Sequence, residues 1–555
     1  MRDWLTRFGS TLLSPERRWR YALLTALVTF FAVLKRGFDP GLGRPCTDGD
    51  YYFQIARNVA EGHGFSTNVS LYNQGLRYFP HEINHSPLWP LTMGLLGKLF
   101  DLETVAHVVP EIIFCIVLVL LYVLTVRIAR RTSDGAPPTP GLDGKPLDVG
   151  HLVVCVFATN VVFFKATSTP YTEGMAFLFL FASLIAADAA ADTRCMRRAA
   201  LAGALAALAF LTRTQMIGVA LALPFVFALH GIRERRFFAL AGVAAAAMAL
   251  VVLPWCAWIA SWADIKGWQT FSGMGTIQEI SELRFFRVAV PTSSLAEKLR
   301  IVGEGLEAAF KPDSKLGYTA SFGLVVYAVP LAVLTAAGSW AEVKRVGRRL
   351  WSADGCLLSI ATLAALVMLA PLHFQKNQFF FTWLFGWRHG LPFILLIALA
   401  LPYLFSRGGA LGRGLATLLV AITLFHSVGS MRVLLNRRYE AGPTGPEAEL
   451  AAWMDAQKPR PKVITTNAQV LSAFSRSYFH WMDCKVSAKH TRILLETGAA
   501  DYVLLYPKEA RCASFASLQG QMELVKAFKR GYEVELWRPK VARFGATDAY
   551  PFGSL

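Results

Sequence analysis

Charge is scarce in this 555-residue chain, and acidic charge is the scarcer kind. Only 17% of residues are charged, with 38 Asp and Glu against 56 Lys and Arg, where a soluble chain carries about 25%. The eight cysteines form no CxxC pair, which excludes zinc ribbons and thioredoxin-like redox motifs. The chain beyond residue 436 has no glycine-rich phosphate loop, no metal-ligand spacing and no nucleophile elbow, so the chemistry of those motifs is not written there. No basic stripe interleaved with aromatics sits in a soluble module, and the +18 net charge therefore does not point to nucleic acid.

Apolar residues fill the space that charge leaves. They make up 54% of the chain, mean hydropathy is +0.40, and they fall in long runs rather than in 3.6-period stripes. Such runs recur too often for a cleaved signal peptide or a soluble enzyme with buried helices. The class is an α-helical polytopic membrane protein. Spans are expected at Tyr21–Leu34, Val105–Ile128, Leu152–Ala166, Gly174–Ala190, Ala199–Leu211, Met216–Leu229, Phe237–Ala260, Tyr318–Ala337, Cys356–Leu372, Leu391–Phe405 and Leu411–Val428. Pro87–Phe100 is too short to cross, since a span needs about 20 residues, and reads as an interfacial or re-entrant helix.

Basic clusters near residues 18, 130, 197, 235, 347 and 410 share one face if Pro87–Phe100 does not cross. That face is cytoplasmic by the positive-inside rule. The expectation is about eleven spans with the N-terminus inside and the C-terminus outside. Residues 1–436 then form a transmembrane domain with outer loops at 35–86 and 261–315. Residues 437–555 form a small extracytoplasmic α/β domain. In it Val463–Thr466, Tyr502–Leu505 and Glu533–Leu536 read as strands. Glu447–Ala456, His490–Glu496 and Ser517–Phe528 read as helices. Cys484 and Cys512 fall in this part, where a disulfide can form if it lies outside the cytoplasm.

The outer loops hold the residues that could do chemistry. Asp48 and Asp50 share one side if the backbone there is extended. Tyr52, Ile55, Ala56 and Val59 follow at helical spacing, so Asp50 reads either as a helix N-cap or as a functional acid. Asp48 lies before that helix, and a carboxylate at an apolar boundary is costly unless used or paired. Glu82 and His85 are an acid/base or divalent-metal pair. Glu173 opens a span, where an acid also suits the helix dipole. Arg213 interrupts two apolar runs, as a snorkelling side chain or as a phosphate contact. Between His373 and His389 seven aromatics surround Lys376, Arg388 and His389, as an interfacial belt or as a groove for an isoprenoid chain whose phosphate the cations hold.

Three stretches together resemble a known group. Asp48-Gly49-Asp50-Tyr51-Tyr52, Gly62-His63-Gly64-Phe65 and His85-Ser86-Pro87-Leu88-Trp89-Pro90-Leu91 look like the first external loop of bacterial GT-C membrane glycosyltransferases. Within these they are nearest the protein-mannosyltransferase and lipid A aminoarabinose-transferase group. Tyr171-Thr172-Glu173-Gly174, Phe210-Leu211-Thr212-Arg213 and Trp387-Arg388-His389-Gly390-Leu391-Pro392 are similar to later segments of that group. The resemblance covers about residues 1–430 and implies a GT-C-like fold and a polyprenyl-phosphate-linked sugar donor. The acceptor would be a glycan, a lipid or a protein. It also implies that Asp48 is the base activating the acceptor. In the expected mechanism Asp50, Glu82, His85 and Glu173 position the acceptor, or a divalent cation held by Glu82 and His85. Arg213, Lys376, Arg388 and His389 would then bind the donor phosphate.

The sequence departs from the group in two places. The group often has adjacent acids where Gly49 separates these two. Some members bind a metal through a Glu-Lys-Pro-Pro-like sequence, whereas Glu82 stands five residues before Pro87. The expected activity is sugar transfer with inversion at the outer face of the cytoplasmic membrane. A transporter or flippase of a lipid-linked sugar is the rival, against which stand the absence of a clear internal repeat and the gathering of acids at one face.

Overall fold

The computed structural model describes residues 15–36, 47–70, 81–82, 86–132, 148–168, 171–262, 319–352, 355–369, 393–436, 446–481, 488–496, 498–506, 515, 518–530 and 532–540. The first described element is α1 (Pro15–Arg36), whose apolar run is bounded by arginines at one end and by Lys35 and Arg36 at the other. Next comes α2 (Thr47–Ala60), followed by the short strands β1 (Ser66–Thr67), β2 (Val69–Ser70) and β3 (His81–Glu82). Helix α3 (Leu88–Gly97) has only 10 residues, too few to cross a bilayer. It packs against α2 closely enough that a Cβ on Gly94 would lie 2.6 Å from the Val59 side chain and 2.7 Å from the Ala56 carbonyl.

Helix α4 (Leu102–Thr132) has 31 residues, about 46 Å at 1.5 Å per residue. It is the axial rod of the bundle. Phe114, Val117, Leu118, Leu121 and Leu124 are fully buried along it. The expected single span Leu152–Ala166 is instead two helices, α5 (Val149–Ala158) and α6 (Val161–Ser168). The chain breaks at Thr159-Asn160, where the Asn160 Oδ1 accepts the Phe163 N–H at 2.9 Å and so competes with the helical ladder.

Then follow α7 (Glu173–Thr193), α8 (Met196–Thr212), α9 (Ile217–Gly231) and α10 (Arg236–Trp262). Alanine and glycine on α8 let α7 and α10 approach it closely, Gly203 facing the Ala244 carbonyl. Helices α11 (Thr319–Ala337), α12 (Trp340–Leu350), α13 (Cys356–Leu369), α14 (Phe393–Arg407) and α15 (Gly409–Asn436) are the other helices of the bundle among the described residues. Among the described residues four helices are long and apolar enough to cross a membrane, at 102–132, 173–193, 214–231 and 236–258, with shorter apolar helices beside them.

The last part holds α16 (Glu447–Ala456), β4 (Lys462–Thr465), α17 (Ala468–Phe474), β5 (Tyr478–Trp481), α18 (Ala488–Glu496), β6 (Tyr502–Leu505), β7 (Met522–Arg530) and β8 (Tyr532–Pro539). The expected helix over Ser517–Phe528 is corrected. Residues Gln519–Gln521 form one 3-10 turn, and the strand β7 pairs antiparallel with β8 from Met522 to Arg530.

The sheet order is β2-β5-β4-β6-β8-β7. Its edge strand β2 therefore comes from the first loop, where Val69 pairs in parallel with Phe479. One face carries Val463, Phe479, Leu504, Val534 and Leu536 against α2, α16 and α17. The other carries Ile464, Val503 and Leu505 against α18. The alternation follows the two-residue period of a strand.

Candidate functional site

Helix α2 lies between the bundle and the sheet. Tyr51 and Ile55 face the sheet beside Val69, Leu471 and Phe479. Ala56 faces Trp89 and Met93 in the bundle core, and Phe53 meets Ala106 of α4 and Ala473 of α17. The polar groups of α2 are held as tightly. The Thr67 hydroxyl donates to Gln54 Oε1 at 2.8 Å, and the Asn58 amide donates to the Ser66 carbonyl at 3.1 Å and to Asn68 Oδ1 at 3.2 Å.

Arg57 reaches across to the end of α17. Its guanidinium donates to the carbonyls of Ser472, Ala473 and Ser475 at 2.7, 3.1 and 2.9 Å. These are the acceptors that the C-terminus of a helix leaves without intrahelical partners. Burial lowers Arg57 to about 10 while Glu61 opposes that change, so it stays protonated at neutral pH. One turn on, Glu61 accepts from Arg476 at 2.6 Å.

Three remote segments meet at the bundle side of α2. Glu173, in the first turn of α7, is 1% exposed. It accepts from Arg213 Nη1 at 2.5 Å, while the same nitrogen lies 3.5 Å from the Thr172 hydroxyl. Arg213 sits in extended backbone between α8 and the turn that starts α9, which aims it back at α7. Its Nε donates to Gln215 Oε1 at 3.2 Å, and Gln215 Nε2 donates to the Met368 carbonyl near the end of α13 at 3.3 Å. Tyr52 of α2 completes the group. It hydrogen-bonds Thr172, with Arg213 and Glu173 nearby, and burial pushes its phenol above the ordinary value while Arg213 partly offsets that.

Lys35 supports this cluster from the end of α1. Its ammonium donates to the Thr167 carbonyl at 2.5 Å and lies 3.8 Å from the centroid of the Phe114 ring, a cation–π geometry. Thr167 in turn lies against Gly174, next to Glu173. Neither Lys35 nor Tyr52 stands out in the sequence as a site residue. Lys35 looks like an interfacial lysine closing an apolar run, and Tyr52 like one more apolar position of an amphipathic helix.

Of the expected residues the structure brings together Glu173 and Arg213. Asp50 is not an N-cap. Helix α2 starts at Thr47, so Asp50 is in its first turn and 1% exposed. Asp48 is also within α2, not in extended backbone before it, and positions two apart on a helix diverge by about 200°. The Asp48 side chain lies outside the described residues. Glu82 is placed by its backbone alone, opposite Ser66 in the β1–β3 pair. Its side chain, His85, Lys376, Arg388, His389, Cys484 and Cys512 all lie outside the described residues. Among the described residues no three His, Cys, Asp or Glu side chains are grouped as a metal ion would require. A cavity of about 660 Å³ lined by Lys458, Arg492, Tyr502 and Arg538 opens elsewhere. It adjoins Leu495 and Met522 on the sheet face turned away from α2, so it is separate from this cluster.

A bundle of apolar helices capped by a mixed sheet, with an acid-bearing first-loop helix clamped between them, is a GT-C-type fold, that of a class of multi-pass membrane glycosyltransferases. The solved structures it matches are of this class. The Archaeoglobus fulgidus oligosaccharyltransferase tethered with an acceptor peptide matches with a TM-score of 0.53 and 14% identity, over 89% of this chain and 70% of that one. AglB from the same organism, in complex with an inhibitory peptide and a dolichol-phosphate, matches at 0.52 and 13%, over 89% and 70%. ArnT from Cupriavidus metallidurans bound to undecaprenyl phosphate matches at 0.50 and 13%, over 93% and 97%. No family profile matches the sequence, and no curated protein does.

Proposed function

We propose that the protein is a membrane glycosyltransferase. It moves a sugar from a polyprenyl-phosphate-linked donor to an acceptor hydroxyl, with inversion, at the outer face of the cytoplasmic membrane, in a chain of about eleven spans. The observation that carries this reading is the convergence of α2, Glu173 and Arg213 where the bundle meets the sheet. A membrane-anchored donor and an acceptor from outside would meet there. The lipid phosphates bound in two of the matched structures support the donor class.

In this reading Asp48 takes the proton of the acceptor hydroxyl. The oxygen attacks the anomeric carbon, the bond from that carbon to the phosphate oxygen breaks, and polyprenyl phosphate leaves with the electron pair. Removing one general base costs about 10²–10⁴-fold. Arg213, with Arg388, Lys376 and His389 of the stretch 373–389, stabilises the charge developing on the phosphate, and such electrostatic stabilisation usually accounts for more of the rate enhancement than any other effect. Glu173 orients the Arg213 guanidinium rather than the acceptor, since the two are already paired. Asp50, Glu82 and His85 are the candidates for positioning the acceptor or a divalent cation.

Incubation of the purified protein with polyprenyl-phosphate sugars and acceptor candidates tests the reading. Release of polyprenyl phosphate supports transfer. Movement of the lipid across liposomes without release would assign the chain to the transporter class instead.

A further inference from the structure

At the end of the bundle remote from α2, the basic clusters meet. Arg127 and Arg131 of α4 bind Asp188 of α7 at 2.5 and 3.1 Å, and Arg194 binds Glu234 at 2.8 Å. Arg349 donates to the Arg131 carbonyl at 2.6 Å. Helix α12, which supplies Arg349, has no buried residue. Its inward side is fixed. Glu342 accepts from Arg345 at 3.1 Å and from the Tyr403 hydroxyl at 3.4 Å, and Leu350 packs on the bundle core.

The outward side is different in kind. Trp340, Lys344, Arg348 and Trp351 recur at a spacing of four, four and three, within an arc of about 80° at 100° per residue. Trp340 is 70% exposed and Trp351 45%, and Lys344 and Arg348 are exposed between them. Lys344 lies 5.6 Å from the Trp340 ring, and Arg233 lies at the same distance over Trp351 while donating to its carbonyl. The one carboxylate of α12 is turned inward, so this stripe carries only cations between indoles. Val333 and Leu334 of α11, just before it, expose 60% and 67% of their surface, and so the stripe borders an apolar belt. Indoles at the ends, cations between them and apolar surface alongside match the order of headgroup and acyl chain in one leaflet.

We propose that this stripe of α12, with Arg233, is a binding site for anionic phospholipid headgroups in the leaflet opposite the candidate active site. The guanidinium and ammonium groups meet the phosphates while Trp340 and Trp351 lie at the level of the glycerol backbone. The inference rests on the multi-pass fold and is independent of the sugar-transfer reading.

Native mass spectrometry of the full chain in detergent, with equal amounts of phosphatidylglycerol and phosphatidylcholine added, tests it. Each cation near an anionic surface contributes ~1 kcal/mol, about fivefold, so the wild type should retain phosphatidylglycerol over phosphatidylcholine by up to roughly thirty-fold, and K344Q/R348Q should bring the two lipids close to parity. K526Q/K529Q, which removes the same charge from the exposed edge of the sheet, should lose none of the preference. Should K344Q/R348Q fail to fold, wild-type tryptophan quenching by brominated phosphatidylglycerol, absent with the brominated choline lipid and weakened in W340F, replaces it. Equal retention of both lipids by the wild type overturns the proposal, as does an undiminished preference in K344Q/R348Q. Capture of an acidic peptide with no lipid preference also overturns it and assigns the stripe to a protein partner.

Discussion

Arg57 of the first loop and Ser472 of the C-terminal part are 415 positions apart, yet the guanidinium donates to the Ser472 carbonyl at 2.7 Å. With two neighbouring carbonyls, Arg57 terminates α17 from outside that helix. Replacing it with alanine leaves these acceptors buried and unsatisfied. Hydrogen bonds to a charged group contribute about 1.5–3 kcal/mol, and a loss of that order is expected. R57A should lower the thermal midpoint and expose the segments around residues 57–70 and 468–480 to protease together. Cleavage at one segment without the other would show that they are not coupled.

The coupled halves of this interface are unequally legible in sequence. The long apolar helices such as α4, α7 and α10, the short α3 and the helix α16 follow from hydropathy, length and periodicity, because those properties are local. The pairing of Val69 with Phe479 has no local signal, since a two-residue edge strand is made by its partner. Ser517–Phe528 reads as a helix, and the apolar residues of Met522–Arg530 alternate only weakly. Pairing with Tyr532–Pro539 overrides that propensity. The Asn160 break is visible in principle as two polar residues inside an apolar run. Of the site, Glu173 and Arg213 are legible individually, whereas their contact depends on how α7 and α8 pack.

That contact makes a second prediction. Glu173 and Arg213 are buried together, with side-chain exposures of 1% and 12%. Removing one partner of a buried pair costs about 3–5 kcal/mol, while apolar replacement of both is often close to neutral. E173A and R213A should therefore each destabilise the protein more than E173M/R213M does. Additive losses in a double-mutant cycle, read by thermal unfolding, would show that the pair is not coupled.

Lys35 differs because its ammonium donates to a carbonyl and sits over a ring. K35M keeps the apolar stem, and buried charges replaced by apolar groups of similar size are often tolerated. K35M should therefore stay within about 1 kcal/mol of wild type, whereas K35E sets an anion against the Phe114 face and the Thr167 carbonyl and should fall by several kcal/mol. Equal stability of the two variants would contradict the placement of that ammonium.

Acid should loosen the first loop from the sheet. Burial alone would raise Glu61, but the hydrogen bond and charge of Arg476, with Arg57 behind, hold it below the ordinary carboxylate value. A lowered folded value means the contribution is complete above the unfolded value and is lost as pH falls through the folded one. Protease sensitivity of the 57–70 segment should rise below about pH 4. In E61Q the component due to this carboxylate should be gone. An identical acid profile in E61Q and wild type would assign the loosening to other groups.

Sugar transfer at the acid-bearing end of α2, as proposed, requires the Asp48 carboxylate, which Asp48→Asn removes. With purified wild type and variant and a polyprenyl-phosphate sugar that the wild type consumes, release of polyprenyl phosphate should fall by about 10²–10⁴-fold in the variant. Its thermal midpoint should not change. Full release by the Asp48→Asn protein would contradict the assignment.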